Sequence, residues 1–305
     1  MPLPAALPTP LTEVADPVLA RAGVRLRLKR DDLLHPAVPG NKWRKLTPNL
    51  ARALAEGRTR LVTFGGAYST HLRATAAAAR ALGLASTGVV RGEELADRPR
   101  NWSLAAAEAD GMELEFVDRA AYRALAPAAG NAADGRWGDA LVLPEGGSNA
   151  LAVRGTAALP AEIGDLGPAD VVCCAVGTGG TLAGIAAGLP PGARALGVAV
   201  LRGEGYPEAE VAALHRAAYG RSFSGWRIDH GYHGGGYGRV PAELEAFAAS
   251  FEQRHGIGVE RRYVAKALRA VYGLAEAGRL APGTRVTLVV TGVPDEAAAA
   301  AVSRS

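Results

Sequence analysis

Cysteine is nearly missing from this chain of 305 residues: Cys173 and Cys174 stand side by side, with no others. Adjacent cysteines form at best a strained bridge, which excludes a disulfide framework. No cluster of His or Cys completes a site for a soft metal around them, so they read as two small apolar residues of a buried strand. No apolar run is long enough to span a bilayer, so no membrane helix is predicted. The opening "MPLPAALPTPLTEV" lacks the basic segment of a secretory signal, and together with the scarce cysteines this predicts a cytoplasmic protein. Blocks of like charge are also missing, which argues against an arm that binds nucleic acid. The net charge of +4 suits a small anionic ligand better. Fixed-period repeats and low-complexity linkers are not found.

What is present is 49% hydrophobic and 21% charged, the balance of a soluble globular chain with a sizeable core. Short apolar runs alternate with longer alanine-rich stretches of helical period. Strands are predicted over 60–64, 86–91, 113–117, 140–144, 170–176, 194–200 and 285–291. Helices are predicted over 43–56, 70–82, 101–110, 149–162, 180–188, 207–219, 241–255 and 262–277. Alternation on this scale predicts an α/β fold with mostly parallel twisted sheets covered on both faces, as two three-layer αβα domains. The segments "FGGAYSTH" and "PEGGSNA" bracket four of the strands. They suggest a smaller domain over 49–152 inserted in a larger one formed by 1–48 and 153–305. Residues 221–238, "RSFSGWRIDHGYHGGGYG", read as a long irregular loop of the kind that often carries function.

The stretch "AVGTGGTLAGIAAGL" carries the most chemistry. A buried strand runs into Gly177, Thr178, Gly179, Gly180 and Thr181, and a helix follows. Free N–H groups and the helix dipole face such a turn, and glycine lets the backbone approach a phosphate. A side chain at Gly179 is expected to enter that space. No Gly-Lys-[Ser/Thr] ending makes this a Walker loop. Leu182 stands where a dinucleotide fingerprint needs glycine, and no acid is placed to hold a ribose. A lone phosphate fits better, and a tight turn without ligand is the alternative. "FGGAYSTHLRATAAAARALGL" repeats the pattern: Ser69 and Thr70 either cap a helix or present hydroxyls to an anion at its N-terminus. His71 reads as structural.

"GNKWRKL" places Lys42 after a glycine turn at the start of a helix. The positive end of the dipole and desolvation both lower the pKa of an ammonium there, which prepares a lysine to form an imine. A basic solvated helix face would account for Arg44 and Lys45, but not for Gly40 and Asn41. An imine-forming lysine, a lone-phosphate cup and a serine-rich carboxylate cup together imply pyridoxal 5'-phosphate.

"KRDDLLHPAVPGNKWRKL", "TFGGAYSTHLRATAAAARALGL", "VLPEGGSNALAVRG" and "CAVGTGGTLAGIAAGL" resemble the D-cysteine desulfhydrase and 1-aminocyclopropane-1-carboxylate deaminase family. That family belongs to the tryptophan-synthase-β-like, fold type II pyridoxal enzymes, and the likeness runs in order from about residue 8 to 292. The resemblance implies that Lys42 joins the cofactor and moves protons, and that residues 177–181 hold the phosphate. It implies that Ser69 meets the substrate carboxylate, that Tyr263 lies near the substrate, and that Thr291 stands beside the pyridine nitrogen. A neutral hydroxyl there weakens the ring as an electron sink and suits β-elimination. The expected protein is a homodimeric lyase or deaminase on a small amino acid.

Three departures qualify the likeness. Thr70 stands where the family has an asparagine near the cofactor's ring oxygen. "TGVPDEAAAAAVSRS" replaces a double glycine and a longer tail. Leu288 stands near the place of a second tyrosine found in true deaminases, which counts against cyclopropane ring opening. L-Cysteate sulfo-lyase activity is one alternative, and a pyridoxal-binding protein with little lyase activity is another.

Overall fold

A computed structural model describes residues 3–38, 40–126 and 136–294. Its strands form two sheets. In chain order they are β1 (Leu11–Val14), β2 (Arg25–Lys29), β3 (Arg60–Gly66), β4 (Ala85–Arg91), β5 (Met112–Val117), β6 (Leu141–Leu143), β7 (Asp170–Val176), β8 (Arg194–Ala199), β9 (Trp226–Asp229) and β10 (Arg285–Val289). One sheet has the order β1-β2-β10-β7-β8-β9, the other β5-β4-β3-β6. Among the described residues only the β1–β2 pair is antiparallel. The helices are α1 (Pro17–Arg21), α2 (Asn41–Ala55), α3 (Thr70–Ala81), α4 (Trp102–Ala109), α5 (Arg119–Leu125), α6 (Ala150–Thr156), α7 (Gly180–Gly188), α8 (Tyr206–Tyr219), α9 (Ala242–His255) and α10 (Val264–Glu276). None among the described residues is long and apolar enough to cross a membrane.

β7 explains how the larger sheet is buried. Every residue of "DVVCCAV" is buried, and alternate side chains serve opposite faces. Val171, Cys173 and Ala175 join a core that includes α9 and α10. Val172, Cys174 and Val176 join one that includes α7 and α8. The two cysteines are free and buried, and they point to opposite faces. In the second sheet Leu61 packs with Ala74 and Ala78 of α3, while Val62 and Phe64 pack with Tyr122 of α5.

Some expectations need correction. β1, β2, β9, α1 and α5 are additional elements, and β9 runs through the supposedly irregular 221–238. The helix expected over 149–162 stops at Thr156, where the Thr156 hydroxyl donates back to the Ala152 carbonyl at 3.0 Å. Pro160, which cannot donate to the helix, then opens a short 3₁₀ turn. Inside α2, Pro48 likewise leaves the Arg44 carbonyl without its helical donor. Gly155 of α6 packs onto that carbonyl, where any side chain would overlap it. Leu288 is wholly buried in β10, opposite Leu28 and Cys173, and faces no cleft. The departing tail is described only to residue 294, so the rest of that expectation lies outside the described residues.

The parallel strands bring the functional turns to one kind of place. β7 ends at Val176, just before the Gly177 turn into α7, and β3 ends at Gly66 before α3. Ligands of open α/β sheets bind beyond such carboxyl ends.

Candidate active site

The first turn of α2 shows why its glycine matters. Gly40 has φ 71°, and a Cβ there would overlap the Thr291 carbonyl. Thr291, just beyond β10, is thereby held against the start of α2. Asn41 is buried, and its amide donates to Thr181 Oγ1 at 2.7 Å. Its Oδ1 accepts from Lys42 Nζ at 3.1 Å. One side chain therefore joins Lys42 to the turn before α7. Burial pushes Lys42 down to about 8, against the opposing pull of the Glu260 carboxylate.

Lys45 is not on a solvated face, and neither is Arg44: both are buried, at 3% and 2% exposure. Arg44 is taken up by Asp31 and Glu162. Lys45 Nζ donates to Ser148 Oγ at 2.9 Å and to the Gly146 carbonyl at 3.1 Å. Burial first, then the nearby Lys42, lower its pKa well below the lysine range.

The 177–181 turn closes around the same point. Thr178 Oγ1 lies 2.6 Å from Ser148 Oγ. A Cβ on Gly180 would come within 2.5 Å of Ser148 Oγ and 3.1 Å of Lys45 Nζ. Gly179 caps α7 with φ 77°, but its Cβ would meet Val211 of α8 at 3.0 Å, not the ligand space. Gly180 is thus the glycine that borders the lysine cup, and Gly179 is required by its backbone and by α8.

Ser69 caps α3, accepting from the Leu72 N–H at 3.3 Å. Thr70 opens the helix half-buried, and its hydroxyl makes no hydrogen bond among the described residues. His71 is 1% exposed, and both ring nitrogens lack a partner among the described residues. Its ring packs on Gly147, where a Cβ would lie 2.6 Å from Cε1. Burial, with Lys42 and Lys45 nearby, holds it neutral. Two unmade hydrogen bonds distinguish it from an ordinary structural histidine.

Tyr263 stands at the N-terminus of α10, where the Glu260 carboxylate accepts the backbone N–H of Arg262, Tyr263 and Val264 at 2.6, 2.7 and 3.1 Å. A Cβ on Gly177 would lie 3.7 Å from the Tyr263 ring. Tyr237, from the glycine-rich 231–238 segment, meets Tyr263 edge-on with centroids 6.4 Å apart. Tyr237 also approaches Gly66 at the end of β3.

Lys42, Thr178, Gly180, Thr181, Thr291 and Tyr263 are therefore drawn together, joined by Asn41, Lys45, Ser148, His71 and Tyr237. The glycines of "PEGGSNA" and "GYHGGGYG" signalled Ser148 and Tyr237; nothing separated Lys45 from a surface lysine. Among the described residues neither Lys42 nor Lys45 forms an ion pair, and no group of acids, His or Cys could hold a metal. Two amines without ion-pair partners, half-buried Lys42 and buried Lys45, with an unpartnered histidine and a helix N-terminus, leave a place for an anion beside a nucleophilic lysine. That donor set fits a cofactor bearing a phosphate and a carbonyl.

Comparison with known proteins agrees. Residues 3–292 match the family described as pyridoxal-phosphate dependent enzyme. A D-cysteine desulfhydrase from Klebsiella pneumoniae is 32% identical over 285 residues, covering 86% of this chain and 84% of that one. A putative 1-aminocyclopropane-1-carboxylate deaminase from Pyrococcus horikoshii is 30% identical over 285 residues, covering 88% and 85%. The crystal structure of an ACC deaminase homologue superposes with TM-score 0.80 at 27% identity, covering 95% of this chain and 90% of the other. The chain belongs to the pyridoxal-phosphate dependent enzymes.

Proposed function

We propose that the protein is a lyase on a small amino acid, acting like a D-cysteine desulfhydrase. One water and one D-cysteine would become pyruvate, ammonia and hydrogen sulfide. The observation that carries this reading is the pair of lysines, half-buried Lys42 and buried Lys45, without ion-pair partners at the turn before α7. Pyridoxal phosphate, when bound, supplies an electron sink for the pair left behind when the Cα proton departs. Lys45, Thr178, Gly180 and Ser148 would hold the phosphate, with Asn41 and Thr181 bracing the turn. Lys42 would carry the cofactor and, once the substrate amine displaces it, take the Cα proton as a neutral amine. Ser69 would receive the substrate carboxylate at the N-terminus of α3. Thr70 would stand toward the ring oxygen and Thr291 toward the ring nitrogen. Tyr263 would face the substrate. Homodimerisation, a cytoplasmic location and the division into 1–48 plus 153–305 and 49–152 belong to the same proposal.

A second reading has its own support. The Tyr237–Tyr263 pair supplies a second phenol that Leu288 does not, so cyclopropane ring opening stands as the alternative activity.

Borohydride reduction of the loaded protein followed by peptide mapping should label Lys42, and a label on Lys29 or Lys45 would overturn its assignment. Turnover is then measured on D-cysteine, L-cysteine, L-cysteate and 1-aminocyclopropane-1-carboxylate. Activity on D-cysteine above the others supports the proposal. Preference for the cyclopropane substrate supports the second reading. Turnover of none would leave a pyridoxal-binding protein.

A further inference from the structure

One buried titratable side chain near the site has no part in the reaction proposed above. Lys266 is wholly buried on the first turn of α10, three residues after Tyr263. Its Nζ donates to the Gly236 carbonyl at 2.9 Å. A Cβ on Gly234 would lie 3.4 Å from Lys266 Cε, so the segment rests along the stem as well as on the ammonium.

That segment has few other means of holding a shape. Gly234, Gly235, Gly236 and Gly238 all have positive φ, from 61° to 118°. Such backbone suits glycine, and glycine contributes no side chain to anchor it. Its internal bonds are short-range: the Gly235 N–H reaches His233 Nδ1 at 3.0 Å and the Gly236 N–H reaches the His233 carbonyl at 3.1 Å. Tyr237, the residue after Gly236, is 39% exposed, so burial does little to hold its ring in place. Among the described residues the side-chain hydrogen bond from the rest of the fold to this glycine run is that of Lys266, on a Gly236 carbonyl that also accepts from the Arg239 N–H at 3.3 Å. The same turn of α10 is fixed from its other side by Glu260, whose carboxylate caps the helix and lies within electrostatic reach of Lys266.

We propose that Lys266 is a positioning residue: by pinning the Gly236 carbonyl it holds Tyr237 against Tyr263 and so sets the two-tyrosine wall of the site. α10 then places both phenols, Tyr263 directly and Tyr237 through its lysine. This rests on the reading that Tyr263 faces the substrate.

The test uses the holoenzyme carrying Lys266→Met, alone and combined with Tyr237→Phe, and the crystal structure of the Lys266→Met protein. Lys266→Met should lower kcat on the preferred substrate about 10- to 100-fold, because residues acting as a unit lose function together. KM should move less than about 3-fold, and cofactor content should stay at the wild-type level. In the Tyr237→Phe background the same change should cost less than about 2-fold more. The structure of the variant should show Tyr237 parted from Tyr263. If Lys266→Met does not fold, the same measurements are made on Lys266→Gln, which keeps a donor without the charge. An equal loss with and without Tyr237, or a variant structure with the tyrosine pair unmoved, would overturn the positioning role and leave the proposed function standing. If Tyr237→Phe and Tyr263→Phe both keep full turnover, the substrate-facing reading of Tyr263 fails, and the place of Tyr237 in the variant structure still decides the role of Lys266.

Discussion

Lys42 and Lys45 stand one helical turn apart on α2, yet they meet different surroundings. Lys42 leans on Asn41, while Lys45 is clasped by Ser148 and the Gly146 carbonyl. Between them Arg44 turns to the opposite side and joins a structural ion-pair cluster. A run of cations in sequence is thus divided into nucleophile, anion holder and strut, a division that periodicity alone does not reveal because none of the three is on a solvated face. The pKa of Lys42 gives a direct test. Its folded value is lowered by burial to about 8 from the ordinary 10.5. The neutral amine is the nucleophile, so about one molecule in ten is ready at pH 7, against about one in three thousand for an unperturbed lysine. The rate of covalent cofactor attachment to the apo-protein should therefore rise about tenfold per pH unit below 8 and flatten above it. Stopped-flow absorbance across pH 6–10 measures this. A rise that continues to pH 10 would mean that burial does not govern the amine.

At the scale of elements, the turn from β7 into α7 was legible because two independent signals coincide, a continuously apolar strand and a glycine-threonine turn. β2 was not, and its composition explains the miss. "RLRLK" places cations where a strand of a buried sheet should be apolar. Arg25 stays exposed, but the other two are consumed by ion pairs: Lys29 Nζ pairs with Glu162 at 2.8 Å and Arg27 with Asp170 at 3.2 Å. Hydropathy cannot anticipate a partner more than a hundred residues away. β1 and β9 are short edge strands of the same sheet, where pattern is weakest. The two glycines of the α7 turn separate fold from function. Gly179→Val meets Val211 and forces a side chain into a left-handed backbone, so it should damage the packing of α7 on α8. Gly180→Ala is the cleaner probe. Its methyl would crowd Ser148 Oγ and Lys45 Nζ, the groups assigned to the phosphate. Losing one hydrogen bond to a charged group costs about 1.5–3 kcal/mol, or roughly 10- to 150-fold in Kd. Fluorescence titration of the apo-protein with pyridoxal phosphate should show that loss, while calorimetry shows a small change in Tm. Unchanged affinity would remove Lys45 and Ser148 from the phosphate site.

Across the whole molecule, the placement of α2 depends on a neutral cluster of four charges, three of them buried and the fourth, Glu162, half-buried. Arg44 Nε meets Asp31 Oδ2 at 2.7 Å and Arg44 Nη1 meets Glu162 Oε1 at 2.6 Å. Lys29 closes the ring on Glu162, and the Thr9 carbonyl and hydroxyl complete it, accepting from Lys29 and donating to Asp31. These residues come from β2, the turn after it, α2 and the 3₁₀ turn at 160–162, so the strands of the second sheet all lie in the sequence between Arg44 and Glu162. The cluster joins the two stretches of chain that flank that sheet, and α2 carries Lys42 between them. Arg44→Met keeps the apolar stem and deletes the shared cation, leaving Asp31 buried beside no guanidinium. Breaking a buried pair in this way costs about 3–5 kcal/mol. The pH dependence distinguishes this cause from lost packing. Burial raises the pKa of Glu162, but hydrogen bonds from Arg44 and Lys29 outweigh it and hold the folded value below 4.5. A carboxylate with a depressed folded pKa contributes stability that is present above its unfolded pKa and lost as pH falls through the folded one. Wild type should therefore surrender this term on acidification while Arg44→Met has less of it to lose. Urea unfolding at pH 7 and again near pH 4 should show the gap between the two proteins narrowing at the lower pH. A gap that stays constant would assign the loss to the missing guanidinium volume and not to its charge.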